Sequence, residues 1–159
     1  MGGFYTEEVR CINRKRIGFD VVSVHGTDRV PLARVLPPNS MSRGPKVSKY
    51  TVDIDSFECN AMSLINQVQS TGRIDIMVLD EIGKMELFSH RFKAQVSKLF
   101  ELQDIVLLCT VPLKSMPFVS ALKARADCEL FKVTTDNRHS LLPHLVTVLE
   151  SSLKNNIVN

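Results

Sequence analysis

Residues Ile74–Phe88 read IDIMVLDEIGKMELF. The apolar run Ile76-Met77-Val78-Leu79 ends abruptly in two adjacent acids, Asp80 and Glu81. Apolar residues without alternation are what a strand covered by helices on both faces looks like. Two negative charges at the tip of such a strand are costly unless something positive sits there. The stretch therefore sets both the fold class and the question of what the acids serve.

Strands and helices alternate outward from it. Upstream, Phe57, Ala61, Leu64, Ile65 and Val68 recur at helical spacing, with a stop at Ser70-Thr71-Gly72. Downstream, Phe88, Phe92, Val96, Leu99 and Phe100 make a second helical stripe, with Lys93 and Lys98 on the opposite side. Ile105–Val111 is another continuous apolar strand, ended by Pro112, and a helix follows over Phe118–Arg125. Leu130–Val133 reads as a short strand, and the last helix as Ser140–Leu153 with Leu142, Leu145, Val146 and Leu149 inward. Pro143 falls in its first turn, where a missing N–H costs little. Before all of this, Phe4–Val9, Ile17–Val24 and Val30–Val35 are β-rich runs joined by the turns at Asn13–Arg16 and His25–Arg29, an antiparallel meander. Leu36–Pro45 is a Pro/Ser/Gly-rich loop, and Val47–Ile54 reads as one more strand. The sum is an α/β chain with βαβ crossovers, a mostly parallel sheet and an antiparallel N-terminal meander. Ligands in such sheets bind at the carboxyl ends of the strands, where Asp80 and Thr110 both fall.

A chain of 159 residues, 44% of them apolar, is expected to fold as a single domain, 1–159, around a real core. Its net charge of +3 is too small to call for nucleic acid, and the basic cluster Asn13-Arg14-Lys15-Arg16 reads as a solvated hairpin turn. Cys11, Cys59, Cys109 and Cys128 form no CxxC and no zinc-like spacing with the histidines, which suits a reduced, cytoplasmic protein. Cys109 lies within an apolar run and reads as a packed core residue. The longest apolar run is far too short to span a bilayer, so no membrane partner is expected. The opening MGGFYT fits the loose pattern for acylation at Gly2, and equally the start of a strand.

Two readings of Leu79-Asp80-Glu81 stand side by side. In one, the acids cap a following helix and gain from its dipole. In the other, the stretch is a Walker-B strand, whose Asp holds Mg²⁺ and whose Glu orients or deprotonates the water that attacks a γ-phosphate. The residue types suit that chemistry, because Mg²⁺ prefers hard oxygen ligands and keeps several waters.

The flanking stretches raise the second reading. GFYTEEVR (Gly3–Arg10), RIGFDVVSVHGT (Arg16–Thr27), YTVDIDSFE (Tyr50–Glu58), LDEIGKMELFS (Leu79–Ser89), CTVP (Cys109–Pro112) and VTTDNRHSLLP (Val133–Pro143) occur in this order. Together they closely resemble the cancer-related nucleoside-triphosphatase family, over Gly3 to about Ser152. The resemblance implies a RecA-like P-loop fold and Mg²⁺-dependent hydrolysis of ATP, GTP and other nucleoside triphosphates to the diphosphate. It implies Asp80 as the metal carboxylate and Glu81 as the catalytic base or water orienter. It implies a nucleotide bordered by Ile76, Met77, Val78, Leu79, Asp80, Glu81, Ile82 and Gly83, with Thr110 near the γ-phosphate or its water. Asn137 and Arg138 match the family's residues before the last helix; they border the base or phosphates, or cap that helix. Arg125, in a basic stretch shared with the family, faces either phosphate or solvent. Lys84 either completes the carboxylate network or is simply exposed. Cys109 replaces the family's glycine.

One departure is large. The family opens with a strand, a GxxxxGK(S/T) loop and a helix, and no such loop occurs anywhere in this sequence. The chain reads as an incomplete, N-terminally shortened form with its Walker B retained and its Walker A absent. The loop supplies backbone N–H groups, a lysine and a hydroxyl to the phosphates and Mg²⁺. Without it, weak nucleotide binding and negligible turnover are expected. The alternatives are a non-catalytic variant that acts by binding another protein, or a product without a role. The lost strand is interior in this class of sheet, so unpaired edges and marginal stability are expected as well.

Overall fold

The structure, a computed structural model, describes residues 1–37, 39–40, 43–70 and 74–158. Its strands are β1 (Gly2–Arg10), β2 (Arg16–Ser23), β3 (Arg29–Arg34), β4 (Lys46–Val47), β5 (Tyr50–Val52), β6 (Ile76–Asp80) and β7 (Val106–Cys109). Its helices are α1 (Ile54–Ser70), α2 (His90–Leu99), α3 (Pro117–Lys123) and α4 (Leu141–Val158), with a 3-10 turn at Glu86–Phe88. All the strands join one mixed sheet in the order β4-β5-β3-β2-β1-β6-β7. β1, β6 and β7 form a parallel core, and the meander adds β2, β3, β5 and β4 antiparallel to one side.

Local sequence explains the helix starts. The Asp53 carboxylate accepts from the Ser56 N–H at 3.0 Å, and Ser89 Oγ accepts from the Phe92 N–H at 2.9 Å. Each side chain satisfies a donor that the first helical turn leaves without a partner. The predicted stripes then turn inward: Phe57, Ala61, Leu64 and Ile65 of α1 and Phe92, Val96 and Leu99 of α2 are buried. The side chain of Val68 and the predicted stop at Thr71-Gly72 lie outside the described residues. Phe4, Phe57 and Phe92 meet in one aromatic cluster, so β1, α1 and α2 share a core.

Gly2, which acylation would modify, is a buried residue of β1 opposite Met77 of β6. The basic turn reads as expected: Arg16 donates to the Tyr50 hydroxyl at 2.8 Å and pairs with Glu8, while Arg14 and Lys15 are exposed. None of the described helices is long and apolar enough to cross a membrane.

Three expectations are corrected. Val47–Ile54 is not one strand: β4 and β5 form a hairpin through Ser48-Lys49, with Ser48 at φ 56°, and Ile54 already belongs to α1. A turn that uses no glycine or proline leaves little trace in the residue pattern. Leu130–Val133 forms no strand. A strand exists through the backbone hydrogen bonds of a neighbour, and none of the described strands pairs with this segment; β7 bonds to β6 alone. In α4, Leu142 and Val146 point outward, 61% and 46% exposed, and the half-buried face is Leu141, Leu145, Val148 and Leu149. The helix meets the sheet at β7, and that contact sets which face turns inward.

Candidate active site at the ends of β6 and β7

The parallel registers carry Asp80 to the site. Tyr5 sits beside Asp80, and Leu79 beside Cys109. The strand ends are clasped beyond the sheet: the Thr110 N–H donates to the Leu79 carbonyl at 3.1 Å, and the Ile82 N–H to the Thr110 carbonyl at 2.9 Å. Asp80 is held from both neighbours. The Thr6 hydroxyl donates to its backbone carbonyl at 2.9 Å, and the Thr110 hydroxyl donates to its carboxylate Oδ1. The Asp80–Glu81 peptide is cis.

Glu81 stands at the surface, its carboxyl pushed above the ordinary range, first by desolvation and then by the Asp80 charge. Among the described residues no lysine or arginine forms an ion pair with Asp80 or Glu81. Lys84 is exposed. The sequence thus brings Asp80, Glu81 and Thr110 together, with Ile76–Leu79 as the strand beneath and Ile82-Gly83 as the turn that follows.

The remaining candidates have other engagements. Arg125 donates to Glu101 at 3.0 Å, to Asp127 at 2.8 Å and to the Phe100 carbonyl at 2.8 Å. Asn137 organises the turn before α4: its Oδ1 accepts from the Thr134 N–H at 2.7 Å, and its Nδ2 donates to the Lys132 carbonyl at 2.8 Å. Arg138 is exposed. Two shallow surface hollows, one lined by Arg34 and Asp53 and the other by Phe100 and Arg125, include none of Asp80, Glu81 and Thr110. The Cys109 thiol is pushed up to about 12, chiefly by burial, so it stays protonated and serves as packing.

Two contributors escape a reading that looks only for acids at a strand tip. Thr6 is one; its signal is its place in the GFYTEEVR stretch. Glu86 is the other. It is 3% exposed, and its Oε2 accepts from the Gly83 N–H at 3.1 Å. Burial first, and the charges of Glu81 and Asp80 after it, push its carboxyl up to about 8. An acid with a raised folded pKa makes stability fall as pH rises, because the folded state binds the extra proton. The contribution is complete below about 4.5 and is lost as pH climbs to about 8. Thermal melts of the parent should drop between pH 5 and 8, by an amount worth roughly a few kcal/mol. Glu86→Gln, which keeps a carbonyl acceptor, should flatten that drop; an equally steep profile in the variant would remove Glu86 as its source.

The order of the sheet, with an acid pair beyond the parallel strand β6 and a hydroxyl beyond β7, defines an α/β fold of the P-loop nucleoside-triphosphatase class. A family model described as NTPase matches residues 1–146. The chain is 44% identical over 158 residues to the human cancer-related nucleoside-triphosphatase, spanning 96% of this chain and 82% of that protein. It is 39% identical over 150 residues to the nucleoside-triphosphatase THEP1 of Thermotoga maritima, spanning 94% and 80%. The solution structure of the human cancer-related nucleoside triphosphatase superposes with a TM-score of 0.76 at 40% identity, over 96% of this chain and 82% of that one. The crystal structure of THEP1 from the hyperthermophile Aquifex aeolicus gives 0.77 at 25% identity, over 94% and 83%. The chain belongs to the cancer-related nucleoside-triphosphatase family.

Proposed function

We propose that the ends of β6 and β7 are the metal- and water-handling half of a nucleoside-triphosphatase site. Its substrates are ATP, GTP and other nucleoside triphosphates, and its products the diphosphate and phosphate. The observation that carries this reading is Asp80 fixed by the Thr110 hydroxyl, with Glu81 next to it and no cationic partner for either acid among the described residues. The donors suit Mg²⁺. Asp80 Oδ1 is taken by Thr110, and Oδ2 has no partner among the described residues. The ion needs only one or two carboxylates beside substrate oxygens and its own waters. When bound, Mg²⁺ neutralises phosphate charge. Thr110 fixes the Asp80 carboxylate. Glu81, its proton affinity raised by desolvation and by the Asp80 charge, takes the proton of the water that attacks the γ-phosphorus as the bond to the β-phosphate oxygen breaks. The free thiols of Cys11, Cys59, Cys109 and Cys128 support a reducing, cytoplasmic setting.

This sequence supplies no GxxxxGK(S/T) cradle for the phosphates, so its own turnover is expected at background. Mg²⁺-dependent phosphate release should be measured on the chain as it stands, and on a fusion with a strand–GxxxxGK(S/T)–helix segment placed before Met1. The fusion should release phosphate, and Glu81→Gln should lower that rate by about 10²–10⁴-fold. Release by the unfused chain that vanishes in Glu81→Gln would overturn the expected inactivity. A fusion rate indifferent to Glu81→Gln would overturn the site.

A second reading, a non-catalytic form that binds another protein, is favoured by the outer edge of β7, which no strand of the described residues covers, and by exposed Leu130, Val133, Leu142 and Val146. Background release from the fusion, together with elution of the chain as an oligomer, would favour it.

A further inference from the structure

We propose that Glu86 is a positioning residue that seats the Glu81 carboxylate through Gly83, a role that rests on the reading of Glu81 as the base. Gly83 is buried and lies between the two acids. On one side the Glu86 Oε2 accepts its N–H at 3.1 Å. On the other the Glu81 side chain folds over its Cα: a Cβ placed on Gly83 would fall 2.1 Å from Glu81 Oε1 and 2.7 Å from Glu81 Cγ. Glu81 therefore occupies the space that any other residue at position 83 would fill.

The support beneath Gly83 is fixed in turn. The Leu87 N–H donates to the Gly83 carbonyl at 3.0 Å, and the Ser89 N–H to the Glu86 carbonyl at 3.0 Å. Ser89 caps α2 and donates through its hydroxyl to Glu58 of α1 at 2.6 Å. Both polar groups of the Gly83 backbone are thus held by the turn that follows it, and that turn is tied to two core helices. The Gly83 N–H is inside the fold and needs an acceptor, and Glu86 supplies it from below. With that acceptor gone, the peptide at Gly83 is free to rotate, and the surface against which Glu81 rests moves with it.

The test is a nuclear Overhauser cross-peak between the Glu81 γ-protons and the Gly83 α-protons, read on the whole chain without nucleotide. Parent and Glu86→Gln, which keeps the acceptor, should show it. Glu86→Leu, similar in size but without an acceptor, should lose it while the other amide resonances stay in place. Should the leucine variant fail to fold, Glu86→Asp, whose shorter side chain withdraws the acceptor, should lose the cross-peak. A folded leucine or aspartate variant that retains the cross-peak at parental strength overturns the proposal, as does its loss in Glu86→Gln. Because no turnover enters this measurement, a fusion whose phosphate release is indifferent to Glu81→Gln would count against the base role of Glu81 and leave the seating of its side chain standing.

Discussion

Gly3→Ala is expected to remove a large share of the protein's stability. Gly3 sits in β1 at φ 103°, a backbone conformation that alanine adopts only under strain. It lies opposite Val78 of β6, and a Cβ there would fall 1.9 Å from the Val78 carbonyl oxygen. That atom is strand backbone and has nowhere to go. Either β1 is pushed from β6, or the Gly3 backbone rotates and takes Phe4 out of the core. The parallel seam Gly2–Tyr5 against Met77–Asp80 is lost either way. Backbone strain alone is about 1–3 kcal/mol, and the broken seam adds to it. A total near 3–5 kcal/mol is a large share of the roughly 5–15 kcal/mol that holds an ordinary domain together. Urea titration should show the midpoint falling sharply in Gly3→Ala. A loss below about 1 kcal/mol would mean that the β1–β6 register drawn here is wrong. The same seam holds Thr6 against Asp80, so a partly folded variant should also lose order at the strand tip.

Phe92→Ala is the second large effect. The Phe92 ring lies 5.9 Å from that of Phe4 and 5.1 Å from that of Phe57, and the residue is 0% exposed. It joins α2 to both β1 and α1, so truncation opens a cavity where three elements meet. Removing a buried phenylalanine costs about 3–5 kcal/mol. In a domain of this size that is a fall in melting temperature of roughly 6–20 °C. Phe92→Leu, which refills part of the space, should recover most of it. Equal losses in the two variants would show that ring geometry, and not volume, is what the site requires. Lys98, on the outer side of the same helix, offers the contrast: Lys98→Ala should change stability by less than about 0.5 kcal/mol.

Much of this was legible in the residues, and the reasons differ from one element to the next. The stripes of α1 and α2 announce themselves because their buried positions repeat at helical spacing. β6 and β7 are readable as apolar runs closed by Asp80 and Thr110. Leu130–Val133 reads as a strand because an apolar run resembles one whether or not a partner lies beside it. The orientation of α4 is hidden in the sequence for a related reason. Its leucines and valines occupy more of the circumference than the sheet covers, and contact with β7 selects one face. Ser48-Lys49 hides a hairpin because its left-handed residue is a serine.

The candidate site divides in the same way. Asp80 and Glu81 are adjacent in the chain, so their proximity needs no fold. Thr110 reaches Asp80 only because β6 and β7 pair in register, thirty residues apart. Thr6 reaches it across seventy-four. Arg125, plausible in sequence as a phosphate contact, is drawn to Glu101 and Asp127, which present carboxylates at hydrogen-bonding distance.

By itself the sequence determined the family, the acid pair at the tip of an apolar strand, and the helical stripes of α1 and α2. These depend on neighbours in the chain or on residue type, which a linear string records completely. Tertiary structure alone decided that threonines from β1 and the end of β7 hold Asp80, and that Glu86 is buried under Gly83 with a raised proton affinity. Those follow from strand register and burial. Both are properties of residues far apart in sequence brought within bonding distance, and burial sets the desolvation that moves a carboxyl's titration.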